Sequence, residues 1–194
     1  MDFSCPKPVF FKIAMSQLRM EGPQHIVRGE SKPTLEGRQV CPGAAGVTNW
    51  MSPTYNQQTG LFYVTAREQC DIFSTAPQPY EEGHAYYGSA YFPADQAEPY
   101  SGALRAIDPV TGQVKWEFPH PSPTWSGLLS TAGGVVFTGD AEGNFIALDA
   151  ASGKHLWHFQ TGAAIYASPM TFAVGGKQYV AIATGSALFT FGLP

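Results

Sequence analysis

The sequence predicts an all-β fold, arranged as a partial β-propeller of about three four-stranded blades. Composition is the first reason. Of the 194 residues, 44% are hydrophobic, 13% are aromatic and only 13% are charged, and the chain holds 21 Gly and 16 Pro. Aromatic side chains and frequent turn formers favour strands over helices, and so few charges are unusual for a helical domain. The second reason is an internal repeat of blade length.

The repeat relates segment 106–118 to segment 147–159. Ala, Asp, Gly, Trp and Phe recur in both at one offset, 147 − 106 = 41. Five identities at one offset are hard to obtain by chance. A period of roughly 40–50 residues with one Gly and one Trp in each unit is typical of four-stranded propeller blades.

Each copy of the repeat carries a tryptophan in its outermost predicted strand. Trp116 and Trp157 both follow a Gly by four residues, and Asp108 and Asp149 begin the turns that contain these Gly residues. Asp caps such turns, and Gly supplies the positive φ that they need. We expect both indole rings to pack between neighbouring blades and assign neither to a functional site.

Gly-rich turns and β-branched runs divide the rest of the chain into strands. We predict a first blade with strands near 50–55, 61–66, 102–108 and 114–118, a second near 125–130, 134–139, 143–149 and 154–159, and a third, one strand short, near 166–172, 178–184 and 187–191. Residues 1–40 are predicted to be an irregular N-terminal segment and 41–194 to hold the blades. An insertion at about 67–101, rich in Tyr, Pro, Ala and Gly, is interpreted as a long surface loop.

Charge and hydropathy patterns exclude several classes of function. The net charge of −4 leaves no basic face for nucleic acid. No run of eighteen apolar residues occurs, so no membrane span is expected. The first residues lack the pattern of a signal peptide, which indicates either a cytosolic protein or a longer secreted protein whose N-terminus is missing. There is no Cys-x-x-Cys-His motif, so no attached c-type haem is expected.

The two repeats follow the pattern Ala-x-Asp-x-x-Thr/Ser-Gly-x-x-x-Trp-x-Phe. This pattern resembles the tryptophan-docking repeat of the quinoprotein dehydrogenases. The stretches Cys41–Trp50, Trp125–Gly134 and Gly176–Val180 extend the likeness. Together, from about 38 to 194, they resemble the C-terminal blades of the pyrroloquinoline-quinone (PQQ) dependent alcohol dehydrogenases of the methanol and ethanol dehydrogenase family.

The resemblance implies a portion of an eight-bladed periplasmic enzyme that oxidises a primary alcohol to an aldehyde. PQQ would be the electron acceptor, assisted by calcium or a lanthanide. The family's catalytic Asp and its metal ligands lie in earlier blades, and no stretch here matches them. We therefore assign no catalytic or metal-binding residue to this chain and expect it to be inactive alone. An alcohol substrate and an electron acceptor are the partners of a complete enzyme, with missing N-terminal blades or a second copy as possible companions.

The resemblance also implies three cofactor-binding residues, Asn49, Trp50 and Trp125. An amide side chain can both donate to and accept from quinone and carboxylate oxygens. The alternatives are that Asn49 caps a turn, that Trp50 belongs to the core, and that Trp125 packs between blades. Trp50 and Trp125 are placed in the inner strands of the first two blades.

Cys41 and Cys70 lie 29 positions apart, and family members often have a disulfide at these two positions. The resemblance therefore implies a disulfide here, with two buried thiols in a reducing compartment as the alternative. Cys5 has no partner. A group of acidic side chains in or beside the insertion is interpreted as solvated and without ligand spacing: Asp71, Glu81, Glu82 and Asp95. Four histidines show no metal pairing in the sequence: His84, His120, His155 and His158.

Two other hypotheses remain open at this point. The chain could be a non-catalytic propeller segment that serves as an interaction scaffold, similar to outer-membrane assembly lipoproteins with docking repeats. It could also be the product of a truncated reading frame, whose exposed blade faces would promote aggregation. The Asn49–Trp50 pair and the two cysteines favour the enzyme family, since a scaffold has no need of them.

Overall fold

A computed structural model describes residues 32–94 and 101–192. These residues form strands, turns and loops, which confirms the predicted all-β fold. In the described ranges there is no helix of the length and apolar character that a membrane crossing requires. The strands in these ranges are β1 (Arg38–Val40), β2 (Thr54–Asn56), β3 (Leu61–Glu68), β4 (Asp71–Thr75), β5 (Ser89–Pro93), β6 (Ser101–Ile107), β7 (Val114–His120), β8 (Leu129–Ser130), β9 (Val135–Gly139), β10 (Asn144–Asp149), β11 (His155–Gln160), β12 (Met170–Val174), β13 (Lys177–Thr184) and β14 (Ala187–Gly192).

Three of the four antiparallel sheets follow one another as blades. The first blade has the order β2-β3-β6-β7, the second β8-β9-β10-β11, and the third the three strands β12-β13-β14. The prediction of a partial propeller with a short third blade is therefore confirmed. The inner strands β2 and β8 are shorter than predicted, so Trp50 and Trp125 lie in the loops before these strands and not within them.

The insertion in the first blade is not the single long loop that the sequence analysis predicted. Its ends extend β3 to Glu68, and its middle contains β4 and β5, which pair with β1 in a fourth sheet of order β1-β4-β5. The prediction rested on a composition rich in Tyr, Pro, Ala and Gly. It overlooked the strand-forming Ile72–Phe73 and Tyr91–Phe92, whose pairing across the hairpin overrides that signal. Residues 76–88 remain a loop.

The repeat tryptophan of the first blade joins it to the second. Trp116 Nε1 donates a hydrogen bond of 3.1 Å to the carbonyl oxygen of Ala150. Gly153 has a φ of 70°, and a Cβ at this position would collide with the Trp116 ring. The hydroxyl of Tyr63 donates to the same Ala150 carbonyl at 2.8 Å. The predicted docking of Trp116 on the next blade is confirmed, and it requires the Gly of that blade's repeat.

Apolar side chains fill the two spaces between blades. The first cluster contains Tyr63 and Leu104 from the first blade with Val136 and Leu148 from the second. The second contains Phe145, Ile165 and Ile182 with their neighbours. Trp157 belongs to this second contact, because its ring lies 5.2 Å from that of Phe191 in the third blade. Burial of these faces against one another is the main contribution to the stability of the arrangement.

Candidate functional site

The loops that precede the inner strands bring two tryptophans together. Trp50 and Trp125 each lie four positions before an inner strand, β2 and β8. Their rings are stacked with centroids 5.8 Å apart and planes 4° from parallel. Trp50 is 59% exposed, so it is not a core residue. The two rings form an aromatic surface at the same end of two neighbouring blades, partly open to solvent.

The predicted Asn49 lies beside this surface. Its side chain is exposed, and Nδ2 donates a hydrogen bond of 3.1 Å to the carbonyl oxygen of Ala45. This contact closes the turn before Trp50, which is the turn-capping alternative considered from the sequence. Asn49 directly precedes Trp50 in the chain, and Trp50 stacks on Trp125, so the three predicted cofactor residues lie on neighbouring loops.

Four contacts hold the loop that carries Asn49 and Trp50. A disulfide joins Cys41 to Cys70, as the resemblance implied. The amide of Gly43 donates to the carbonyl of Gln69 at 2.7 Å, and the amide of Arg67 donates to the carbonyl of Val47 at 2.7 Å. The fourth contact is a hydrogen bond from the backbone amide of Ala44 to a carboxylate. The loop is therefore fixed along the end of β3.

That carboxylate is Asp71, which the sequence analysis interpreted as solvated. It is 2% exposed, and its Oδ2 accepts a hydrogen bond of 2.6 Å from the backbone amide of Ala44. Its Oδ1 accepts another from Gln69 Nε2 at 3.2 Å. The prediction was wrong because it considered spacing for metal ligands and not the capture of backbone donors. Glu81 and Glu82 are exposed, as predicted, and Asp95 lies outside the described residues.

Arg67 is the residue of the site that sequence reasoning missed. It is buried at the end of β3, and its guanidinium carbon lies 3.7 Å from the centroid of the Trp125 ring. Nη1 donates to the carbonyl of Thr124 at 3.3 Å and Nη2 to Gln69 Oε1 at 3.1 Å. Burial lowers the pKa of Arg67 while Asp71 raises it, and an arginine stays charged under such conditions. The sequence feature that could have identified it is the position of Arg67 directly after the mainly apolar run of β3.

Gly127, two positions after Trp125, lies where the three blades approach one another closely. A Cβ on Gly127 would collide with Ser168 of the third blade and would lie 3.0 Å from the Ser52 amide of the first. Ser126 Oγ donates to the carbonyl of Ala167 at 3.0 Å. Three blades therefore meet at their inner ends, and the third blade places the exposed Tyr166 four positions before β12.

The histidines lie in two kinds of environment, exposed for His84, His155 and His158 and buried for His120. His155 and His158 are paired, with His155 Nε2 and His158 Nδ1 at 3.2 Å. His120 is buried and neither ring nitrogen has a hydrogen-bond partner in the described part of the chain. Burial lowers the pKa of His120, while Asp140 and Glu142 oppose this shift. Across residues 32–94 and 101–192 no group of three or more His, Cys, Asp or Glu could hold a metal ion.

Comparison with known families agrees with this geometry. Residues 119–180 match the β-propeller domain of the glucose, ethanol and alcohol dehydrogenases that use PQQ. These blades belong to the quinoprotein alcohol dehydrogenase family. The quinoprotein ethanol dehydrogenase of Pseudomonas aeruginosa is 43% identical over 147 residues, which cover 76% of this chain and 24% of that protein. The chain thus spans about a quarter of the length of such relatives.

Solved structures show the same fold. The quinohemoprotein alcohol dehydrogenase of Comamonas testosteroni superposes with a TM-score of 0.71 at 32% identity, covering 86% of this chain and 26% of that one. A europium-containing methanol dehydrogenase superposes with a TM-score of 0.69 at 34% identity, covering 74% of this chain and 26% of that one. The blades of this chain, with their Gly turns and docking tryptophans, therefore have the propeller architecture of quinoprotein alcohol dehydrogenases.

Proposed function

We propose that this chain forms one side of the PQQ site of an enzyme that oxidises a primary alcohol to an aldehyde. The observation that carries the proposal is the stacked, partly open pair Trp50 and Trp125, with the exposed Asn49 directly before Trp50 in the chain. The family supplies the reaction class, and the blades described here supply surfaces for the cofactor.

The chemistry of these side chains fits PQQ. The cofactor is a flat tricyclic quinone that carries carboxylates, and indole faces stack with flat π-systems. The Asn49 amide can donate to quinone or carboxylate oxygens and accept from their hydroxyl forms. The guanidinium of Arg67 lies over Trp125, so positive charge lies close to where an anionic ligand would rest. When bound, PQQ accepts the two electrons that leave the alcohol.

The residues of this chain would bind and orient the cofactor, and the rest of the reaction would need other blades. A general base has to lie within hydrogen-bond reach of the alcohol, and we assign no such group here. We likewise assign no ligand for calcium or a lanthanide. The proposed enzyme therefore has a complete site built from this chain together with further blades. We also propose that the enzyme is periplasmic and that the further blades help to select its electron acceptor.

Binding of PQQ to the purified chain tests the first half of the proposal. Quenching of tryptophan fluorescence should saturate with added PQQ, and Trp50→Ala, Trp125→Ala and Asn49→Ala should each weaken the binding by about tenfold or more. Tyr86→Ala is the matched control, because Tyr86 is an exposed aromatic in the insertion loop. Absence of saturable binding, or binding that survives all three substitutions, would favour a non-catalytic scaffold.

Ethanol-dependent reduction of an artificial acceptor tests the second half. With PQQ and calcium added, the folded chain alone should show no turnover. Clear turnover would contradict the need for further blades, and would mean that this chain builds a complete site by itself or with a second copy.

A further inference from the structure

The outer strand of the second blade carries a histidine pair that the cofactor site does not use. His155 and His158 both lie in β11, and both side chains are exposed. His155 Nε2 and His158 Nδ1 lie 3.2 Å apart. The aromatic surface of Trp50 and Trp125 lies instead before the inner strands, so the two features are at opposite edges of the blade sheets.

A β-bulge is the reason that the two rings meet. Residues three apart on a regular strand point to opposite faces of the sheet. In β11 the register pairs Trp157 with Ala147 and His155 with Leu148, so Leu156 is the extra residue. The bulge moves His155 onto the face of His158, while Trp157 points to the other face, toward the third blade.

The repeat itself does not require histidine at these positions. In the first blade, at the offset of 41 residues that relates 106 to 147, the equivalent positions hold Val114 and Glu117. That blade has the same shift of register, between Ala106 and Ile107. Blade docking is therefore satisfied without imidazole, and the first blade has no counterpart of the histidine pair.

The separation of the two nitrogens suits one metal ion. Imidazole nitrogen binds zinc at about 2.0–2.1 Å, so two nitrogens on one ion lie about 2.9 Å apart at a right angle and about 3.4 Å apart at the tetrahedral angle. The distance of 3.2 Å falls between these limits. Phe118 of the first blade stacks on His155, with ring centroids 6.5 Å apart and planes 20° from parallel, which restricts the rotation of one ligand.

We propose that His155 and His158 bind one divalent transition-metal ion of the class that prefers imidazole, namely zinc, nickel or copper. Water completes the coordination, because both rings are open to solvent. Without the ion the two rings share a hydrogen bond. When the ion binds, the donor ring changes tautomer: its proton passes through solvent to its other nitrogen, and both facing nitrogens then offer lone pairs to the metal. The site lies outside the cofactor site and does not depend on the proposed oxidation of alcohols.

Calorimetric titration of the chain, prepared without a polyhistidine tag, with nickel chloride and then with zinc chloride tests this site. We expect one ion per chain, and His155→Ala and His158→Ala should each weaken binding by at least about tenfold. His84→Ala is the control, because His84 is an exposed histidine of the insertion loop. Absence of saturable binding would overturn the proposal.

Two further measurements keep the test independent of folding. Far-ultraviolet circular dichroism should be unchanged in both variants, because both side chains are exposed. His155→Gln and His158→Gln should lose the ion as the Ala variants do, since an amide is a poor substitute for imidazole at a nickel site. Retention of full affinity in a chain with both histidines replaced would place the ion elsewhere and refute the proposal.

Discussion

The guanidinium of Arg67 lies over the indole ring of Trp125, with its central carbon 3.7 Å from the ring centroid. The two residues belong to different blades, because Arg67 is in β3 and Trp125 precedes β8. Arg67 also donates to the carbonyl of Thr124, the residue before Trp125. A buried cation thus holds both the ring and the backbone of the loop that completes the aromatic surface.

A double-mutant cycle should measure this coupling. We expect Arg67→Met and Trp125→Leu together to destabilise the fold by about 1–2 kcal/mol less than the sum of the single changes, because a desolvated cation–π contact is lost only once. Urea unfolding of the four proteins provides the free energies. Arg67→Lys is the control for charge, since it keeps the cation but lacks the planar guanidinium. Strict additivity would show that the ring and the cation do not interact.

The disulfide should be needed for the cofactor loop. Replacing Cys41 and Cys70 by Ala should lower the free energy of unfolding by on the order of 3 kcal/mol, because the crosslink restrains the unfolded chain. The same change should weaken the near-ultraviolet circular dichroism of the Trp50–Trp125 stack, since the loop loses one of its four anchors. Cys5→Ser is the control for thiol chemistry. An unchanged stability in the double variant would contradict this role.

His120 should make the stability depend on pH. Its pKa is lowered in the folded chain from the ordinary 6.5 by burial. Between the folded and the unfolded pKa, the unfolded state binds more protons, so stability is complete above about pH 6.5 and is lost as the pH falls below it. His120→Phe should remove this part of the slope in denaturant unfolding between pH 7.5 and 5.5, whereas the exposed His84→Phe should not. Equal slopes in all three proteins would refute the assignment.

Two glycines with similar backbone angles allow the cost of backbone strain to be measured apart from the cost of a collision with the Trp116 ring. Gly60 and Gly153 have φ values of 68° and 70°, but a Cβ on Gly60 would meet nothing within 4 Å, whereas one on Gly153 would strike Trp116. Gly60→Ala should therefore cost about 1–2 kcal/mol from the left-handed backbone alone. Gly153→Ala should cost a further ~1–3 kcal/mol from overpacking against the ring. Thermal and urea unfolding would measure both, and equal losses would mean that Trp116 can move away.

Short-range features of the sequence predicted much of the fold. The 41-residue offset between residues 106 and 147 fixes the blade length, and it places Trp116 against the Gly of the next repeat. The turns behave as their residues require: Asp108 Oδ1 accepts from the backbone amides of Val110 and Thr111, and Asp149 Oδ1 from that of Ser152. These features depend on neighbours a few residues away, so a sequence displays them directly.

Contacts between residues far apart along the chain could not be predicted from the sequence. The pairing of β4 with β5 depends on a hairpin closed through a loop of mixed composition, and the burial of Asp71 depends on a backbone amide 27 positions earlier. His155 and His158 meet because of a β-bulge, and the composition of the strand does not predict where that bulge lies. The sequence by itself determined an all-β propeller segment, its family and three candidate cofactor residues. Only the tertiary structure decided which side chains accompany them, because Arg67 and Trp125 are far apart along the chain and meet only when the blades dock.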